Sequence, residues 1–236
     1  MGGIREILVM VLLSVVPELS HDKMTYPLWF QRMPYMEGVY FAIGYAPRYT
    51  YLSSSFKEAK ENLKKNLAYV RGVIIDGELG FLKENTQIAG VGGTIRDTTD
   101  TSGIHPVILD SAVCKDFVLV LGATKKADEW KAHLFNPPPL WFKEIPSSSN
   151  FFFAVGTAPL YAYEHDSWLY AEQNARYNLA MEIFTKIKAL RKYHNETIQG
   201  ITVESTSVHL RNVQVLARHI DIKNRSVYVL VGIPKK

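Results

Sequence analysis

The clearest periodic pattern in the first half of the chain is a row of apolar residues spaced three and four apart. Its members are Ala59, Leu63, Leu67 and Val70. This spacing predicts a helix with one face on a core. Ser55 is predicted to cap the helix N-terminus, with Glu58 three residues later completing a capping box. Gly72 follows the pattern and is predicted to end the helix.

A second helical pattern lies in the C-terminal half and is longer. Its apolar positions recur mostly every four residues and are Ala171, Ala175, Leu179, Ile183, Ile187 and Leu190. The small side chains at its start predict a close approach of helix to sheet, because little volume separates the two backbones. Asp166 or Ser167 is predicted to cap this helix, which is expected to continue to about Lys192.

Short runs of aromatic and β-branched residues precede both helices and predict strands over residues 39–44 and 151–156. Each run is followed by Gly-x-Ala-Pro, beginning at Gly44 and at Gly156. Proline has no backbone donor and glycine tolerates unusual backbone angles, so we expect a turn that ends each strand here. A Pro-Leu-Trp-Phe sequence stands before each strand, and its aromatic residues are expected to cap the core of their own domain. These residues are Trp29, Phe30, Trp141 and Phe142.

Each half of the chain ends in two apolar runs separated by turn residues, which predict a hairpin. The first hairpin joins residues 106–113 to 117–122, and the second joins residues 213–222 to 226–232. Between the first helix and its hairpin, residues 85–105 are rich in Gly, Thr and Asp. A stretch of this length and composition predicts a long loop with a functional or mobile character.

The order of elements is the same in both halves because the sequence repeats itself. Residues 27–68 align with residues 139–180 without a gap, and 18 of the 42 positions are identical. The repeat predicts an α+β fold of two tandem homologous domains, each a helix packed on a small antiparallel sheet in the order strand–helix–strand–strand. The expected bounds are 21–125 and 126–236, with the stiff sequence Pro137-Pro138-Pro139 in the connector between the repeats.

Composition narrows the class of protein. The chain has 236 residues, of which 47% are hydrophobic, so it is long enough and apolar enough to bury a core. Its net charge of +4 comes from scattered Lys and Arg residues, which gives no support to a nucleic-acid partner. The single cysteine, Cys114, excludes an internal disulfide and a site built from several cysteines.

The N-terminal segment 1–20 carries the one strong hint about location. Residues 7–16 form an apolar run of ten, which is too short to span a bilayer as a helix. Its length fits the apolar region of a secretory signal, so we expect export, with a peripheral apolar segment as the alternative. No later segment is expected to span a membrane.

The residues that the two repeats share argue against catalysis. They are Pro, Leu, Trp, Phe, Ala, Gly, Tyr, Ser and Asn, and none of them is an acid, base or thiol. The histidines show no metal-ligand spacing. We therefore expect no catalytic residue, no metal site and no cofactor.

Two sets of shared polar residues are candidates for an interface or a ligand cleft. The tyrosines that follow each first strand could line a cleft between the repeats; they are Tyr49, Tyr51, Tyr161 and Tyr163. The second set lies four residues apart on one face of each helix and consists of Asn62, Asn66, Asn174 and Asn178. These side chains are expected to bond to the loop after the first strand or, alternatively, to reach a neighbouring subunit.

The repeated pattern resembles a family of small surface lipoproteins of Gram-negative bacteria that includes flagellar collar and disc proteins. The pattern is a strand ending in Ala-x-Gly, a helix ending in Asn-Leu-Ala, and a final hairpin strand with Tyr-Val-Leu-Val or a close variant. The matching ranges are 41–44, 59–68 and 118–120 in the first repeat and 153–156, 171–180 and 228–231 in the second. The resemblance implies a non-enzymatic envelope protein, and some family members assemble into rings. This chain has no lipidation cysteine and carries the pattern twice.

Three functions follow as expectations. The first is a structural or assembly component of the bacterial cell envelope, periplasmic or associated with the outer membrane, such as a subunit of a flagellar-associated or other periplasmic ring. Its expected partners are further copies of itself, in a ring or filament, or a larger envelope complex. The second is a periplasmic module that binds a ligand in the tyrosine-lined cleft. The third is an enzyme that uses residues 85–105 as a lid.

Overall fold

The computed structural model describes residues 26–77, 93–96, 101–193, 202–203 and 207–235. The elements of the first half are α1 (Leu28–Gln31), β1 (Phe41–Pro47), α2 (Leu52–Arg71), β2 (Val73–Gly77), β3 (Gly93–Arg96), β4 (Val107–Val113) and β5 (Phe117–Ala123). The elements of the second half are a 3₁₀ turn (Trp130–His133), β6 (Phe151–Pro159), α3 (Glu164–Tyr193), β7 (Thr202–Val203), β8 (Ser207–Leu210), β9 (Gln214–Asp221) and β10 (Ser226–Pro234). The fold is therefore mixed α and β, with the strands in antiparallel sheets.

Two three-stranded sheets have the same internal order. The first runs β1-β5-β4 and the second β6-β10-β9, so the final hairpin of each half pairs with the strand before the helix. Both predicted hairpins are confirmed, with bounds that differ by one or two residues. Each hairpin also carries one bulge, at Leu109 in β4 and at Leu216 in β9.

A third sheet takes its strands from both halves and has the order β3-β2-β8-β7. Its central pair joins Val73 of β2 to Leu210 of β8. This sheet crosses the boundary that the sequence predicts at residues 125/126. The two halves are thus tied together by backbone hydrogen bonds as well as by side chains.

The buried clusters place α3 between the two three-stranded sheets. On the first sheet, α2 covers the face that carries Ala42, Ala46 and Val120. The opposite face of that sheet packs against α1 and α3 through Ile43, Tyr45, Phe117, Leu119, Phe30 and Trp168. The same cluster continues onto the second sheet, where α3 packs on β6 and β10 through Ala154, Ala158, Ala171, Ala175, Leu179, Val229 and Val231.

The predicted turn at Gly-x-Ala-Pro is wrong, because both strands continue through it to Pro47 and Pro159. The glycine serves instead as the point where helix and strand backbones meet. A Cβ atom on Gly44 would lie 1.8 Å from the Ala59 carbonyl oxygen, and one on Gly156 would lie 2.1 Å from that of Ala171. The proline is tolerated because β1 and β6 are edge strands, where a missing donor interrupts no ladder.

The predicted helix caps are also wrong. The first helix begins at Leu52 and the second at Glu164, so Ser55 and Ser167 lie inside their first turns and are buried. Each serine hydroxyl accepts a hydrogen bond from a backbone amide of the preceding loop, at 2.9 Å from Tyr49 N and 2.8 Å from Tyr161 N. The serines therefore fix the loop to the helix, whereas the predicted end of the first helix at Gly72 is confirmed.

The remaining predictions concern the loop 85–105, the aromatic pairs before each strand and the segment 1–20. The predicted loop 85–105 contains a strand, β3, within its described part. The expectation that the aromatic pairs cap only their own domain is wrong for Phe30, whose ring packs on Trp168 as well as on Tyr45. Trp29 does bond to its own hairpin, donating to Asp110 at 3.1 Å. The segment 1–20 lies outside the described residues.

Candidate functional site at the junction of the two halves

The most elaborate polar arrangement among the described residues surrounds Glu172 of α3. Its carboxylate accepts hydrogen bonds from Arg176 one turn later at 3.2 Å and from Arg218 of β9 at 2.7 Å. The hydroxyl of Tyr45, on β1 in the other half, donates to the same carboxylate. Arg218 also donates to the backbone carbonyl of Phe30 at 3.1 Å, so the cluster joins α1, α3 and both three-stranded sheets.

Burial and the neighbouring arginines together set the charge states in the junction cluster, which consists of Tyr45, Glu172, Arg176 and Arg218. Each residue is at most 5% exposed. Burial alone would raise the pKa of Glu172, but Arg218 and Arg176 outweigh it and lower that pKa. Burial also raises the pKa of Tyr45 well above its usual value, so the phenol keeps its proton and remains a donor. The carboxylate is charged and the phenol neutral at any ordinary pH.

Aromatic rings lie against both guanidinium groups, whose Nε atoms donate none of the hydrogen bonds to Glu172 and Phe30. The Nε atoms of Arg176 and Arg218 have no hydrogen-bond partner and are buried. Arg218 lies 4.8 Å from the ring centre of Phe30 and 5.8 Å from that of Tyr45, and Arg176 lies 5.7 Å from that of Tyr69. Ring faces attract cations and offset part of the loss of water. The cluster is therefore a closed joint with its donors directed inward.

A second buried carboxyl, Glu164, stands at the start of α3. It accepts hydrogen bonds from Trp168 Nε1 at 2.9 Å and from the hydroxyl of Tyr26. Burial raises the pKa of Glu164, and the bond from Trp168 offsets only part of that rise. The bond from Tyr26, which lies just before α1, adds a second tie between the first half and α3.

The structure does not bring the predicted tyrosines into the junction. All four are exposed, with Tyr51 at 74% and Tyr163 at 68%, and each pair lies beside the start of its own helix. Tyr49 donates to Glu58 of α2 at 2.7 Å, and the ring of Tyr161 packs edge-on to Tyr170 of α3. A shared cleft between these pairs stays a prediction.

Each asparagine donates to a backbone carbonyl of the strand before its helix, and a contact with a neighbouring subunit stays a prediction. Asn62 and Asn66 donate to the carbonyls of Tyr45 and Ile43, at 2.6 and 2.7 Å. In the second half Asn174 and Asn178 donate to Thr157 and Val155, at 2.9 and 2.8 Å. The acceptors belong to the strand itself rather than to the loop after it. Each helix thus satisfies carbonyls on the open side of an edge strand.

A shallow groove lies apart from the candidate tyrosines and asparagines, none of which lines it. Its volume is about 280 Å³, and it is bounded by the loop 145–148, by β6 and by α3. The ammonium groups of Lys186 and Lys235 lie 5.1 and 4.7 Å from the ring centre of Phe152 in this groove. Glu182 pairs with Lys186 at 2.5 Å and neutralises one of the two charges.

The junction cluster escaped sequence reasoning because that reasoning looked at residues shared by the repeats. Tyr45, Glu172 and Arg176 occupy positions where the other repeat has Thr157, Lys60 and Lys64. By analogy with those lysines Glu172 and Arg176 would lie on the surface, but the structure buries both. The available signal was their place next to Ala171 and Ala175, the small residues of the buried face of α3.

Other chemistry is limited in the part of the chain that the structure describes. No three His, Cys, Asp or Glu side chains in it are grouped as metal ligands. Burial raises the pKa of the Cys114 thiol to about 11, so the reactive thiolate is scarce. Of the helices described, none has the length and apolarity to cross a membrane.

Comparison with known proteins adds no family to these observations. No family model matches the chain, and no curated protein or solved structure matches it significantly.

Proposed function

We propose that this chain is a non-catalytic structural protein of the bacterial cell envelope, built from two homologous repeats, that acts by assembling with further copies of itself. The observation that carries this proposal is the junction cluster. Its charged residues are at most 5% exposed, and they bond to one another and, across the two halves, to Tyr45 and Phe30. A rigid connection of this kind suits a structural building block.

Atomic contacts at a constant sequence offset support the homology of the repeats. The serine-to-loop bond, the two asparagine-to-strand bonds and the glycine contact recur 112 positions apart. The shared residues therefore maintain a helix–sheet unit. The envelope location rests on the apolar segment 7–16 and on the resemblance to surface lipoproteins.

The proposal is tested by measuring the mass of the full-length protein by sedimentation and by fractionating cells that express it. We expect a discrete oligomer or filament and recovery from the envelope. A protein that stays monomeric at high concentration and fractionates with the cytoplasm would contradict the proposal.

A ligand-binding role is the second candidate, and the groove beside Phe152 favours it more than the tyrosines do. The Lys235 ammonium group beside the Phe152 ring, with the Lys186 charge already paired to Glu182, would suit a small ligand with one anionic group and an apolar part. A monomer that binds such a ligand, with loss of binding in Lys235→Ala, would move this role ahead.

A further inference from the structure

One contact between the two halves is a strand-like pairing along β9. The backbone amide of Met33 donates to the carbonyl of Leu216 at 2.9 Å, and Arg32 lies directly opposite Ala217 in an antiparallel bridge. Met33 is 1% exposed and belongs to the main core cluster. The segment after α1 therefore covers the outer edge of the second sheet.

Both sides of this contact have a counterpart elsewhere in the chain. The turn before Arg32 closes with a bond from Arg32 N to Leu28 O at 2.8 Å, and the same bond recurs from Glu144 N to Leu140 O at 3.1 Å. Ile145 thus corresponds to Met33.

The edge strand has its counterpart in β4. The bulge at Leu216 matches the bulge at Leu109, since both lie at the same place in their hairpins. Asp110 therefore corresponds to Ala217, and Ile108 to Val215.

The counterparts are exposed where the originals are buried. Ile145 is 59% exposed against 1% for Met33, and Ile108 is 42% exposed against 7% for Val215. Val113, at the end of β4, is 46% exposed. An exposed β edge with aliphatic side chains is a template for pairing with another chain.

We propose that Glu144 and Ile145 of one copy lie against β4 of a second copy, repeating between chains the contact that Arg32 and Met33 make with β9 within the chain. This inference rests on the proposed assembly function and names its surfaces. The segment after Leu140 and the β4 edge are different surfaces, so the contact is head to tail. Every dimer therefore keeps one free segment and one free β4 edge. Repetition closes a ring or extends a filament.

The proposed register has one testable consequence for charge. Glu144 would lie opposite Asp110, whereas the internal contact places Arg32 opposite Ala217. Like charges directly opposite each other weaken a strand pair, and opposite charges strengthen it. Glu144→Lys should therefore tighten self-association by roughly tenfold in Kd. Adding Asp110→Lys to that variant should restore the repulsion and remove the gain.

Disulfide trapping tests the contact directly in the full chain. Cys114 is first replaced by serine, and Asp110→Cys and Glu144→Cys are then combined. Mild oxidation should give a ladder of dimers, trimers and larger species on a denaturing gel. Either single variant can give dimers at most. As a positive control, Arg32→Cys with Ala217→Cys should form a bond within one chain.

The outcomes separate this inference from the function on which it rests. An oligomer that yields no ladder, and whose Kd is unchanged by Glu144→Lys, would overturn the named surfaces and leave assembly standing. Single-cysteine variants that dimerise as fully as the double variant would indicate a symmetric contact and would also overturn them. A monomer under all conditions, Glu144→Lys included, would overturn both. Circular dichroism of each variant confirms that it is folded.

Discussion

Gly156 holds the closest approach of α3 to the second sheet. A Cβ atom there would lie 2.1 Å from the carbonyl oxygen of Ala171 and 2.2 Å from the amide nitrogen of Ala175. Backbone atoms cannot give way as a flexible side chain can, so Gly156→Ala must displace the helix. We expect the free energy of unfolding to fall by at least about 3 kcal/mol, measured by urea unfolding.

Gly72→Ala is the matched control for that substitution. Its backbone is extended, and the nearest atom to an added Cβ is Arg211 Cγ at 3.8 Å, an ordinary contact. We expect a change of less than about 1 kcal/mol. Equal effects of the two substitutions would show that helix and strand do not touch at Gly156.

Glu172 should stabilise the fold in a way that acid removes. Its pKa is lowered in the folded state, so its contribution is present above the unfolded pKa and is lost as the pH falls through the lowered folded value. Near neutral pH, Glu172→Gln leaves two buried guanidinium groups without their anion and should cost about 3–5 kcal/mol. Urea unfolding at several pH values should show this difference shrinking in acid, and a constant difference would argue against a charged Glu172.

Glu164 should behave in the opposite sense. Its pKa is raised by burial, so the charged form is disfavoured in the fold at neutral pH, and stability is gained as the pH falls through that raised value. Glu164→Gln removes this penalty while its side-chain oxygen can still accept from Trp168. We expect the melting temperature of the variant, relative to wild type, to be most favourable near neutral pH and to decline toward the ordinary pKa of a glutamate. A relative melting temperature that does not change with pH would contradict this assignment.

At the scale of elements, the asparagines protect the open sides of β1 and β6. Asn66 and Asn178 make the same bond to a strand carbonyl, but Asn66 is 8% exposed and Asn178 is exposed. Asn66→Ala should therefore cost about 1–3 kcal/mol, because it leaves a buried carbonyl without a donor. At Asn178→Ala water replaces the lost donor, so the loss should be under about 1 kcal/mol. Equal losses in urea unfolding would show that burial does not set the strength of this bond.

Local periodicity is what made the elements predictable. The spacing of Ala59, Leu63 and Leu67 identifies a buried helix face, and the paired apolar runs on either side of turn residues identify both hairpins. Gly44 and Ser55 were misinterpreted because each has a common local role in turns or caps. Their actual partners, the Ala59 carbonyl and the Tyr49 amide, are defined only once α2 lies on β1.

At the scale of the molecule, sequence reasoning separated two halves that the structure interlocks. The junction joins Tyr45 to a residue 127 positions later, and the central pair of the third sheet joins β2 to β8. No local pattern encodes such partners. The residues that make the junction are also those in which the repeats differ, so the repeat itself concealed them.

Separating the halves should therefore damage both. Expressed alone, residues 126–236 would leave Trp168, Glu172 and Arg218 without Tyr45 and Phe30. We expect each half alone to lose cooperative thermal unfolding and mixing of the two to restore part of it. Two halves that each melt cooperatively at the temperature of the intact chain would show that they are independent domains.

The junction also sets an order of events during synthesis. The carbonyl of Phe30 receives its bond from Arg218, which is 188 residues later in the chain. At typical elongation rates of about 5–20 residues per second, roughly 10–40 s separate the two. Of α1 and α3, which pack on the face of the first sheet that carries Tyr45 and Phe117, only α1 can cover it until α3 is synthesised. The nascent chain is therefore an expected client of holding chaperones until its last hairpin emerges from the ribosome.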